Sequence, residues 1–425
     1  MDALLNHLPS IITALALLLL VTLGYTRYHI PLVSNRQSYT YNHLLTNIKT
    51  VLHPRTLSIP DLLSERAESN KRLVRALHLS NTFVSERPDV HNQFVTQARG
   101  LLNIAQQRGW STFQSIAMEA INWYDEEVKI SESGSPFSSL VQGTTLVVVL
   151  AGLLHVDNPI DSFRHADITL VANHITALWA LSKKMEPIPP SYLKNLNSRL
   201  RLLVPDDETF PQPLNFVVPA WETLWRVVAT TIAYAQQDPL ILEEFEYFHA
   251  DPSEERFRNG RNSKISVKSV VWEAMRLHPP SKHIARMRRR TWCPSLLRRV
   301  IGKVYTTMVY DRKVADIEAI LRCEVWGTDG QAFRPERHHQ LTTEQEDALK
   351  FVFGHGPLRC VAASWAPMAA AVIAGAIITH LKRERYMLEP GRCIGSREGW
   401  NGWQVRGNSR IISDSLKNDV TDRVA

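Results

Sequence analysis

From Tyr39 onward, apolar and polar positions alternate with a period near one helical turn. Tyr39–Leu52, Leu73–Leu79, Phe94–Ala105 and Phe113–Val128 each present one apolar stripe, which predicts amphipathic helices. Leu140–Leu154 is apolar almost all round, but short and close to polar residues, so it predicts a buried core helix rather than a membrane span. Asp167–Lys184 predicts a further helix in which Trp179 packs and Lys183, one turn on, is solvated. Pro211–Ala233 reads as one long, mostly apolar helix opened by Pro211 and Pro213 and bent at Pro219. Ser266–Pro280 predicts a helix stopped by Pro279-Pro280. Val361–Ile378 is apolar and alanine-rich, and Pro367 with its small neighbours favours a tightly packed helix over a second membrane span. Strand signals are few, the clearest being a strand or hairpin over Trp400–Gly407. The pattern is that of a mainly helical protein with small β-sheets.

The amino terminus breaks the amphipathic pattern. Leu8–Thr26 carries no charge, is near the length a spanning helix needs, and is followed at once by Arg27. With no basic residue before it, the charge bias places the carboxyl-terminal bulk in the cytosol. A cleaved signal peptide fits less well, because a basic n-region and a small-residue cleavage site are both missing. The expected organisation is an anchor at 1–27, a linker at 28–37 containing Pro31, a catalytic domain at 38–412 and a polar tail at 413–425.

Composition narrows the class. The chain has 425 residues, 44% hydrophobic and 21% charged, which is globular and long enough for a large core. The net charge of +7 suits an acidic partner or a membrane surface. No basic repeat interleaved with aromatics is present, so nucleic acid is not an expected partner. Cys293, Cys323, Cys360 and Cys393 are scattered without a paired spacing, which excludes a zinc ribbon and a disulfide scaffold.

Chemistry concentrates in Phe351-Val352-Phe353-Gly354-His355-Gly356-Pro357-Leu358-Arg359-Cys360-Val361-Ala362. Two glycines and a proline forbid an ordinary helix before Cys360, so the cysteine is expected where a loop enters the buried Val361–Ile378 helix. A helix N-terminus and nearby backbone N–H groups stabilise a thiolate, which suits a soft metal or a haem iron. The plainer alternative is a small buried residue. Upstream, Glu222 and Thr223 stand side by side directly after the bend at Pro219, an acid and an alcohol in an apolar helix. Thr223 could instead bond a carbonyl of the preceding turn. Glu273 and Arg276, three apart, share one helix face and can pair.

These motifs resemble the cytochrome P450 monooxygenases. Phe353, Gly356 and Cys360 fall on the family's haem-binding signature, Ala220-Trp221-Glu222-Thr223 on its oxygen-helix motif, and Glu273/Arg276 on its Glu-x-x-Arg pair. Phe333-Arg334-Pro335-Glu336-Arg337 matches the segment that supplies that pair's second arginine. All four occur in the family's order and cover roughly residues 210 to 385. The departures are Leu358 where a basic residue is usual, Ala362 and Ala220 where glycines are usual, Leu224 where a second hydroxyl residue is usual, and a short front half.

The resemblance implies a P450-like haem-thiolate fold with a shortened N-terminal half and an N-terminal anchor on the endoplasmic reticulum membrane, catalytic domain to the cytosol. It implies haem b (heme), with Cys360 as axial ligand shielded by Phe353 and with Gly356 in the loop. Glu222 and Thr223 would manage protons, while Glu273, Arg276 and Arg337 would hold the scaffold behind the cofactor. Arg286 is the first expected anchor for a haem propionate, with Arg359 or His355 second. The implied reaction inserts one oxygen atom of O2 into an apolar small molecule, with electrons from NADPH through a separate cytochrome P450 reductase. The shortened front half is most similar to fungal secondary-metabolism members. Two other readings stay open: a haem protein without turnover, and a membrane-tethered helical scaffold.

Overall fold

A computed structural model describes residues 40–131, 133–261, 264–292, 307–395, 397 and 399–407. The expected anchor, linker and tail lie outside the described residues, as do Cys293 and the basic positions Arg298, Arg299 and Lys303.

Caps and prolines set the helix starts. α1 (Tyr41–Leu52) buries Tyr41, Leu44, Ile48, Val51 and Leu52 along one stripe. α2 (Ile59–Leu77) opens on a capping box: the Ser58 hydroxyl accepts from the Asp61 N–H, and the Asp61 carboxylate accepts from the Ser58 N–H. It therefore starts at Ile59, not Leu73. Its buried face includes Arg66 and Glu68, which interrupt the apolar stripe and hide the first turns from a periodicity argument.

Two long helices, α3 (Pro88–Arg108) and α4 (Trp110–Val128), meet at Gly109, whose φ of +81° lets the chain turn between them. The apolar stretch expected as one buried helix is α5 (Phe137–Val148), continued by a π-helical turn over Val149–Leu153. α6 (His165–Ser182) and α7 (Pro190–Leu203) follow and pack on each other.

The expected long bent helix is two helices. α8 (Leu214–Trp221) and α9 (Leu224–Ala235) are separated by a turn at Glu222 and Thr223. Pro219 has no N–H to offer the carbonyl one turn back, that of Asn215. The Asn81 side-chain amide supplies the missing donor at 2.8 Å.

α10 (Pro239–Ala250), α11 (Glu254–Arg258) and α12 (Val267–Leu277) come next, α12 capped by Ser266. Two short helices, α13 (Ile317–Ile320) and α14 (Thr343–Lys350), lead to α15 (Ala366–Arg383). α15 is alanine-rich and buried along most of its length, so it forms the centre of the core, against α4, α9, α10 and α12. It starts at Ala366, because Pro367 fits only the first turn, while residues 361–365 form turns. Cys360 is thus not at a helix N-terminus, which corrects that expectation.

The sheets are small. β1 (Ser135–Pro136), β5 (Gln404–Gly407) and β4 (Tyr386–Glu389) form one antiparallel sheet in that order. β2 (His283–Trp292) and β3 (Thr307–Asp316) form an antiparallel pair with Arg286 opposite Lys313. Among the described residues no helix is long and apolar enough to cross a membrane.

Candidate functional site

The cysteine loop is shaped by positive φ angles. Gly354 has φ +79° and Gly356 φ +73°, and a Cβ on Gly356 would lie 2.7 Å from the His53 side chain. Only glycine fits both demands at Gly356. The loop closes where the Cys360 N–H donates to the Phe353 carbonyl at 2.9 Å, and the Phe353 ring meets Trp272 of α12 edge-on at 5.8 Å.

Cys360 has exposed surface, yet burial is the largest influence on its thiol and pushes its pKa up. The Ala362 N–H and the charge of Arg359 act the other way, favouring the thiolate. The electrostatic aid foreseen from a helix end thus comes from one turn N–H and an exposed arginine. Arg359 is exposed, and His355 is half-buried with its ring 6.1 Å from that of His53.

Trp272 is next to the most connected charge in the described fold. Glu273 is fully buried and accepts from Arg276 Nε and Nη2 at 2.8 Å each, from Arg337 Nε at 2.9 Å and from the Arg334 N–H at 3.0 Å. His338 Nε2 lies 2.9 Å from its other oxygen. Burial alone would raise the Glu273 pKa, but hydrogen bonds from Arg276 and His338 outweigh it and hold the group at about 2. Arg276 also donates to the carbonyls of Leu321 and Gly330, and its guanidinium sits 4.6 Å from the Trp326 ring. The cluster ties α12 to the 321–338 segment; spacing foretold the Glu273–Arg276 pair, and the family resemblance implied Arg337 as its partner.

Two other arginines are buried with no carboxylate in bonding distance among the described residues, although the charge of Glu65 reaches Arg286. Arg286 on β2 is 7% exposed and donates to the Ala285 carbonyl, and its Nε has no partner among the described residues. Burial pulls its pKa down to about 10. Arg66 on α2 is 6% exposed, donates to the Thr82 hydroxyl, and also has an unpartnered Nε. Burial, then the charge of Arg286, pulls it to about 9. Two guanidiniums that feel each other's charge while buried are costly unless anions meet them. Sequence reasoning reached Arg286 and missed Arg66. The signal for Arg66 was faint: one arginine in a polar stretch whose capping box had gone unread.

The acid–alcohol pair sits at the α8–α9 break. Thr223 is half-buried and Glu222 buried. Arg226 Nη2 donates to Glu222 Oε2 at 2.9 Å, its Nε to the Glu222 carbonyl and its Nη1 to the Pro280 carbonyl. Arg397 Nη2 contacts Glu222 Oε1 as an ion pair. Trp179, expected only to pack, lies 4.9 Å from the Arg72 guanidinium and 4.6 Å from that of Arg397.

The residues present fit a haem. A cysteine sulfur presented by a glycine-shaped loop suits its iron, and two buried guanidiniums with orphaned Nε atoms suit its two carboxylates.

No family model matches the chain, and no curated protein matches it. Its fold is similar to the crystal structure of a cytochrome P450 (CYP102L1), with a TM-score of 0.54 and 15% identity, covering 81% of this chain and 90% of that one. The similarity shows a P450-like fold.

Proposed function

We propose that the protein is a haem-thiolate monooxygenase in which Cys360 binds the haem iron. The observation that carries this reading is the glycine-shaped Cys360 loop in a P450-like fold, together with two buried guanidiniums, Arg66 and Arg286, each with an unpartnered Nε. When bound, haem supplies dioxygen activation at iron, with thiolate electron density favouring O–O cleavage.

The chain's own residues supply position and charge. Gly356 gives the loop its turn, Phe353 covers one side of it, and the Ala362 N–H steadies the thiolate. Arg66 and Arg286 hold the propionates, with Arg359 a more exposed alternative. Glu273, Arg276 and Arg337 fix the wall behind the loop. Thr223 presents a hydroxyl at the helix break and holds the proton there. The substrate is a small, mainly apolar molecule. Electrons come from NADPH through a separate reductase, and residues 1–27 anchor the domain to the endoplasmic reticulum. Placement among fungal secondary-metabolism members rests on the short front half.

A second reading is a haem protein without turnover. It is favoured by Glu222, whose two oxygens face Arg226 and Arg397, an arrangement that ties down a proton relay. Ferrous protein under carbon monoxide separates the readings. The proposal predicts the band of a thiolate-ligated haem, lost in Cys360→Ser. A haem band without substrate-dependent NADPH use, given reductase, leaves the second reading. A colourless protein leaves only a helical scaffold.

A further inference from the structure

The charge around Glu222 does not balance. Among the described residues Arg226 and Arg397 contact this one carboxylate, and Arg72, which shares the Trp179 ring with Arg397, adds a third positive charge that interacts with it. The three come from distant elements: Arg72 from α2, Arg226 from α9, and Arg397 from the loop between β4 and β5.

Their donors are not equally committed. All three nitrogens of Arg226 are bonded within the fold, to Glu222 twice and to Pro280 once. Arg397 meets Glu222 through one Nη, and its buried Nε has no acceptor. Arg72 donates one Nη to the Ser182 hydroxyl at 2.5 Å. Both Arg72 and Arg397 lie over the Trp179 ring, which fixes their guanidinium planes without using N–H groups. Burial lowers both pKa values, that of Arg397 to about 10, so both remain charged at neutral pH. The arrangement is two steadied cations, an orphaned donor and an excess of positive charge at Glu222, the residue before the half-buried Thr223.

We infer that this cluster binds the anionic end of the substrate, a carboxylate held by Arg397 and Arg72 while the apolar body extends toward Thr223. The inference rests on the monooxygenase reading, which places substrate beside Thr223. A planar carboxylate matches a guanidinium fork in shape and charge, and such bonds are strong where water is excluded. It refines an apolar substrate into an amphipathic one.

Calorimetric binding to the haem-loaded, full-length protein tests this with matched pairs: dodecanoate against dodecanol, and phenylbutyrate against phenylbutanol. In at least one pair the acid is expected to bind roughly tenfold tighter than the alcohol. Arg397→Gln and Arg72→Gln should each abolish that preference while leaving alcohol affinity and the carbon monoxide spectrum unchanged. Arg397→Lys should keep part of the preference, which controls against a variant that fails to fold. Equal affinities within both pairs, no binding by any of the four, or a preference that survives both glutamine variants would overturn the inference. Failure of the haem reading shows separately, as a missing haem band before any ligand is added.

Discussion

At the scale of single residues, the fold keeps charges where burial disfavours them. Arg66 and Arg286 are the sharpest case, because each is buried with an idle Nε. Arg66→Leu or Arg286→Leu should therefore raise the stability of the haem-free protein by about 1 kcal/mol or more. The same changes should weaken haem retention roughly tenfold. Urea unfolding and a haem-transfer assay read the two opposite signs; a loss of apo stability would show that these arginines are structural. Glu273 behaves otherwise, since its charge is fully met. Its folded pKa of about 2 lies below the ordinary 4.5, so it stabilises the fold above pH 4.5 and that contribution is lost as pH falls toward 2. The amount is roughly 3 kcal/mol. His338, lowered by burial, acts in the same direction, its contribution declining once pH drops below 6.5. Glu273→Gln should flatten the lower part of that profile in urea titrations and destabilise by about 3–5 kcal/mol at neutral pH.

At the scale of elements, the α8–α9 break and the cysteine loop depend on backbone groups that ordinary helices satisfy for themselves. Asn81 serves the Asn215 carbonyl that Pro219 leaves free. Asn81→Ala should thus cost about 1–3 kcal/mol by leaving that carbonyl without a donor. Adding Pro219→Ala restores a backbone N–H in reach and should recover part of the loss. Strict additivity of the two changes in denaturant melts would refute the link. In the cysteine loop, Gly356→Ala places a Cβ against His53 at a φ of +73°. It should destabilise by roughly 1–2 kcal/mol from backbone conformation alone. It should also shift the haem spectrum, because the same turn presents Cys360.

At the scale of the whole molecule, what the sequence revealed were features with local signatures. Helical periodicity showed α1, α4 and the α12 and α15 helices, and Glu273, Arg276 and Arg337 could be paired because three and sixty-four positions separate them in a known order of motifs. Cys360 was legible from its glycines. What stayed hidden were contacts between distant segments. Nothing near Arg66 says that Arg286 will lie beside it, and nothing near Trp179 says that arginines from residues 72 and 397 will cover its ring. Burial of a charge is a property of the assembled core, so α2 looked too polar to begin at Ile59. The proline that bends a helix on paper, Pro219, sits three residues before Glu222, where α8 gives way to a turn. Pro367, read as interior, starts α15 and leaves Cys360 in a turn.

Haem-thiolate chemistry in this protein requires a sulfur–iron bond at position 360. X-ray absorption at the iron edge of the haem-loaded protein measures it directly. A single sulfur scatterer bound to iron in the native protein, absent in Cys360→Ser, is the predicted result. An iron ligated only by nitrogen or oxygen in the native protein, or a sulfur signal that survives the substitution, would contradict it.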